Sequence, residues 1–102
     1  MATITKLATG SAGSNHTLLT ANQVDTGIKS ISILPIATGG DINLGIRKAG
    51  SSTVMYFIYN LTINRYQTYV ITDPGLLGYD TSLYDLILTS ADTTNHVIIN
   101  TL

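Results

Sequence analysis

The sequence predicts an all-β protein, a single-domain antiparallel β-sandwich or jelly-roll-like fold of about eight strands. Ile, Val and Thr supply 33 of the 102 residues, and side chains branched at Cβ are stiff at χ1 and suit a pleated surface. Glu, a good surface helix former, is absent, and all six acids are Asp. Short apolar segments separated by Gly, Asn, Asp and Pro run the length of the chain without a 3.6-residue rhythm. A chain of this length is one domain and buries about 65% of its unfolded surface, enough for an independent core.

Ala2 to Thr9 alternates weakly and reads as a first strand, with Met1 to Gly10 a candidate N-terminal arm that could add a strand to a partner's sheet edge. Gly10 to Asn15 is a flexible loop, so residues 1–15 form a possible arm and loop. His16 to Ala21 is a short second strand, closed by a turn at Asp25 and Gly27. From Ile28 to Ile36, Ile31 and Ile33 face one way and Ser30 and Ser32 the other. Pro35 cannot donate a ladder bond and places the strand's end, or an edge, there.

Thr38-Gly39-Gly40-Asp41 is a hairpin signal, because glycines tolerate the positive φ of primed turns. The return strand puts Ile42, Leu44 and Ile46 inward against Asn43, Gly45 and Arg47. After a loop at Lys48 to Ser52 comes Val54 to Ile63, the longest apolar and aromatic run, expected as the central strand. Phe57, Tyr59, Leu61 and Ile63 share one parity of that strand, and Val54, Tyr56 and Ile58 the other. Asn64-Arg65-Tyr66 turns the chain into a strand from Gln67 to Thr72. Asp73-Pro74-Gly75 is a turn and Leu76 to Asp80 a crossover. Leu83 to Thr89 and Asn95 to Leu102 are expected as a closing hairpin, and no segment reads as a helix.

No catalytic, cofactor or metal site follows from the residues. His16 and His96 are the only imidazoles, and neither sits in an HxH, HxxxH or HExxH frame. Asp73, Asp80, Asp85 and Asp92 do not match an alternating calcium loop and read as turn formers. Ser11 and Ser14 lie outside any GxSxG elbow, and GSAGSN lacks the GK[ST] ending of a phosphate loop. The sequons at Asn15 and Asn60 stand in a Thr-rich chain with no export signal. No cysteine is present, no run is long and apolar enough for a membrane span, and a net charge of −1 gives no footprint for nucleic acid. With 11% charged residues, the solvent faces consist of Thr, Ser and Asn and suit packing against neighbours.

Tyr56, Tyr59, Tyr66 and Tyr69 fall within one short stretch, with Phe57 and Arg65 among them. Such groups stack sugars or bases, anchor a protein interface, or fill a core and its rim. Core is the expectation for most of them, and whichever rings lie exposed are candidates for a protein interface together with Arg65.

The succession SSTVMYFIYNLTINRYQTYVITDPGLL and DTSLYDLILTSADTTNHVIIN resembles a family of small virion structural proteins of tailed bacteriophages. Tyr56, Tyr59, Leu61, Ile63, Gly75, Asp80, Leu83 and Val97 carry the resemblance, and Asp80 here follows Tyr79 where that family often has Gly. The resemblance implies a β-sandwich located in the virion as a homo-oligomer in many copies. Its implied partners are the major capsid protein, as for a decoration or cement protein, or tail, neck or baseplate proteins, with neither membrane nor nucleic acid. A carbohydrate-binding β-sandwich module is the alternative that uses the same tyrosines.

Overall fold

The computed structural model describes residues 2–102 and contains two packed four-stranded antiparallel sheets. The strands are β1 (Thr3–Thr9), β2 (Asn15–Leu19), β3 (Ile28–Pro35), β4 (Gly39–Lys48), β5 (Met55–Asn64), β6 (Tyr69–Ile71), β7 (Tyr84–Ser90) and β8 (Thr94–Thr101). One sheet has the order β1-β8-β3-β6 and the other β2-β7-β4-β5. Among strands consecutive in sequence, only β4 and β5 pair with each other. All the others pass between sheets, which is the interleaved double Greek key of a jelly roll.

Alternation places the core as the sequence indicates. Ile31 and Ile33 of β3, Ile42 and Leu44 of β4, Leu86 and Leu88 of β7, and Val97 and Ile99 of β8 are fully buried between the sheets. Each such side chain contributes about 1.5–3 kcal/mol through removal of apolar surface from water. Ile87 is equally buried but lies on the opposite side of its sheet. Its cross-strand row is Thr17, Ile87, Gly45 and Tyr56, so it is covered from the outer face.

Two expected hairpins are corrected. The segment at Thr38 to Asp41 joins β3 to β4, and the segment at Ser90 to Thr94 joins β7 to β8; in both cases the two strands lie in different sheets. Gly-Gly and Ser-Ala-Asp signal a tight reversal, and that reversal serves a sheet-to-sheet crossover as well as a hairpin. Gly39 has φ +72°, and a Cβ there would lie 2.5 Å from the backbone nitrogen of Arg65. Close approach of the β5–β6 corner is what requires glycine.

The run expected at the centre is an edge strand. β5 pairs with β4 alone, and its only fully buried member is Ile63. Its ladder with β4 shifts register twice, since Ile42 pairs with Leu61, Leu44 with Ile58 and Gly45 with Tyr56. Two bulges result, one at Tyr59–Asn60 with Asn60 at φ +55°, the other at Phe57. Each bulge flips the parity that follows it. Phe57, Ile58 and Leu61 consequently all pack toward the core while Tyr56 and Tyr59 remain exposed.

Of the arm expected at Met1 to Gly10, Thr3–Thr9 is a strand of the sandwich, paired along its whole length with β8, and Met1 lies outside the described residues. Lys6 shares the inward parity of Ile4 and Ala8 yet is exposed, as an edge position permits. A single helical turn, α1 (Pro74–Leu77), stands where only a turn and crossover are expected. Pro74 opens it, the Asp73 carboxylate caps it by accepting the Gly75 N–H at 2.8 Å, and Leu77 anchors it in the core.

Candidate interface

The tyrosines singled out from the sequence are all exposed, which corrects the expectation that most fill the core. Tyr59 and Tyr66 are each 65% exposed, and Tyr56 and Tyr69 also present large areas to solvent. The buried work is done by Ile, Leu and Val. The two tyrosines that lie partly buried are Tyr79 and Tyr84, outside the cluster.

The structure divides the cluster. Tyr56 and Tyr59 form one pair, with ring centroids 5.3 Å apart and planes inclined by 60°. The bulge between them makes the pair, because in a regular strand residues three apart point to opposite faces. Asn43 holds the bulge by accepting the Asn60 N–H at 2.7 Å. Tyr56 stands opposite Gly45, so no β4 side chain crowds its ring.

Arg65 and Tyr66 form a second unit at the far end of β5, roughly 15 Å from Tyr59 at the rise of a strand. The Arg65 guanidinium lies 4.4 Å from the Tyr66 ring centroid and donates to the Tyr66 hydroxyl at 2.6 Å and to the Ile36 carbonyl at 3.3 Å. The corner is pinned further by the Tyr66 N–H, which donates to the Pro35 carbonyl at 2.7 Å, with Tyr66 at φ +64°. Tyr69 belongs to the other sheet, opposite Ile33 on the short edge strand β6.

Beside the Tyr56–Tyr59 pair is a cleft of about 320 Å³ that the sequence does not announce. Ile46, Met55, Tyr56, Phe57, Leu76 and Tyr79 line it, so it opens between the start of β5 and the α1 segment. Every one of these side chains is uncharged. The Tyr79 hydroxyl is buried without a hydrogen-bond partner, and burial, then the nearby charge of Asp85, pushes its pKa well above the ordinary 10.0. A larger groove of about 500 Å³ lies elsewhere, at the β1–β8 edge around Thr5, Lys6, Leu7, His96 and Ile98.

Several ionisable residues brace the scaffold. Arg47 and Asp85 pair across β4 and β7 at 3.6 Å, and Asp85 accepts the Ala21 N–H at 2.6 Å. Asp80 closes its turn on Ser82, whose hydroxyl and N–H lower the carboxyl's pKa. His16 and His96 sit on different sheets, opposite Leu88 and Leu7 respectively. Among the described residues no three His, Asp or Glu side chains converge as a metal site would require.

What the arrangement offers is contact area: an edge strand without a charged residue from Met55 to Asn64, two exposed aromatic units and an apolar cleft. Sequence reasoning found the rings and missed the edge and the cleft, although the absence of charge across ten residues was legible. No protein-family model, curated protein or solved structure matches the chain.

Proposed function

We propose that this protein is a non-enzymatic virion structural protein, a capsid decoration or cement protein that bridges neighbouring major-capsid subunits. The observation that carries the reading is the Tyr56–Tyr59 pair, exposed on an uncharged edge strand and flanked by an apolar cleft. Solvent-facing tyrosines with an aliphatic recess beside them are the composition of an interface centre, where aromatic anchors carry most of the binding energy. The jelly roll is a fold of viral capsid proteins as well as of lectins, and the sequence resembles small phage virion proteins. Stapling by many copies over a lattice would reinforce a shell through individually modest contacts.

A tail, neck or baseplate location uses the same surface in the same way, and copy number separates the two. The carbohydrate-binding alternative draws on the same rings, but the 60° inclination of Tyr56 to Tyr59 denies them a common plane for stacking a sugar. The test is quantitative mass spectrometry and cryo-EM of particles purified from the source culture. Many copies seated between capsid subunits support the proposal, a small ring of copies on the tail moves it to the accessory class, and absence from particles together with Tyr-dependent glycan-array binding overturns it.

A further inference from the structure

We propose that the free edge of β5 pairs antiparallel with β5 of a second copy of this chain, joining two four-stranded sheets into one continuous sheet across a twofold axis. The inference rests on the reading of the Tyr56–Tyr59 surface as a protein contact, and not on which particle carries it.

The two sheets have four edge strands, each blunted in some way: β5 itself breaks register twice, but it is the longest of the four and carries no charge. β1 carries Lys6 at an inward parity, β6 is three residues long, and β2 is five residues long with a register break between Thr17 and Leu19. Short strands, irregularities and inward-pointing charges are the devices by which edges avoid pairing with other chains. β5 is ten residues long and contains neither charge nor proline. Its bulges disturb Phe57 to Asn60 and leave Leu61 to Asn64 regular, in register with Ile42 to Gly39. That regular segment is where the ladder can extend.

Three features make a second copy the partner. A twofold brings like residues close together, so a charged strand would repel itself while β5 does not. The net charge of −1 adds little repulsion at longer range. The side of the molecule that β5 borders has enough area: about 33 Å of strand against the smallest extent of 21 Å offers up to roughly 700 Å² per copy, close to the ~800 Å² per partner of a standard interface. With Thr62 opposite Thr62 of the other copy, the reciprocal register sets Leu61 of one copy against Ile63 of the other, so that core-facing residues meet core-facing residues across the seam.

The experiment is sedimentation equilibrium on the purified full chain, paired with amide hydrogen exchange at several concentrations. The expected result is twice the monomer mass near ~100 μM, as for a dimer of roughly micromolar affinity. Thr62→Lys, at the twofold, should weaken the dimer at least tenfold with an unchanged circular-dichroism spectrum, whereas Leu7→Lys on β1 should leave it intact. A wild-type monomer at all accessible concentrations, or a dimer dissolved by Leu7→Lys and untouched by Thr62→Lys, overturns the proposal. Should Thr62→Lys fail to fold, wild-type exchange decides. Protection of the Leu61–Asn64 amides that grows with concentration supports pairing, and fast exchange independent of concentration refutes it. A monomeric chain found in particles would sink this inference alone, and a β5-linked dimer absent from particles would sink only the virion reading.

Discussion

The carboxylate of Asp92 accepts the backbone N–H of Gly39 at 2.8 Å, across 53 residues of sequence. The same oxygen accepts the N–H groups of Thr38 at 3.1 Å and Ala37 at 3.2 Å, while the other accepts Thr94 at 2.9 Å. Ala37 to Gly39 is the β3–β4 crossover and Asp92 lies in the β7–β8 crossover, so one buried side chain ties together both connections at this end of the sandwich. Asp92→Ala leaves these donors without their acceptor and should cost about 3 kcal/mol, measured as a fall in urea stability at neutral pH. A loss no larger than that of Asp80→Ala, in an exposed turn, would show that water replaces the carboxylate.

The same clamp sets a pH dependence. Burial alone would raise the Asp92 carboxyl, but the backbone N–H groups of Thr94, Gly39, Thr38 and Ala37 outweigh it and hold the pKa below the ordinary 3.8. A carboxyl depressed in the folded state contributes stability that is complete above its unfolded value and is lost as pH falls through its folded value. Urea midpoints should therefore stay level from about pH 7 to 5 and decline below about pH 4, and Asp92→Ala should remove part of that decline. Asp80, lowered by Ser82, acts in the same direction and accounts for some of the remainder. An Asp92→Ala profile parallel to wild type below pH 4 would assign the acid sensitivity to other groups.

How far the sequence could be read depends on whether the governing interaction is local. The Ile31/Ile33 against Ser30/Ser32 alternation in β3 is local, and the structure buries the isoleucines as that pattern implies. Which sheet a strand joins is not local: Gly39-Gly40 and Ser90 to Thr94 each mark a reversal, and nothing within four residues says whether the strands then pair. β5 departs from the pattern for a third reason. Period-2 reasoning assumes an unbroken register, and the bulges at Phe57 and Asn60 turn a run that looks buried on both faces into an edge with two rings outside. Residue type identifies the tyrosines, and their division between the middle of β5, its far corner and β6 depends on that edge.

Gly45 offers a test of how β5 is held. A Cβ at this position would collide with the Met55 carbonyl oxygen and would come within 2.9 Å of the Tyr56 Cα, both of them backbone atoms that cannot swing aside. Gly45→Ala should push the first half of β5 off β4 and cost about 2 kcal/mol. Amide exchange should accelerate in Met55 to Ile58 and remain slow in β3 and β8. Uniform acceleration through both sheets would mean instead that the sandwich opens as one unit.

Tyr59 separates contact from stability. Its ring is 65% exposed and meets Tyr56 at 5.3 Å without entering the core, so Tyr59→Ser removes one aromatic pairing worth about 0.5–1.5 kcal/mol. A surface change of this kind should lower the thermal midpoint by no more than about 10 °C. If the ring anchors a protein interface, the same substitution should reduce co-sedimentation with particles at least tenfold, because truncating an anchor costs about 2 kcal/mol or more of binding. Ile42→Ala makes the opposite contrast: it empties a fully buried site and should lower stability by about 2–5 kcal/mol. Retained binding by a well-folded Tyr59→Ser protein would move the contact away from this edge, toward the Arg65–Tyr66 corner.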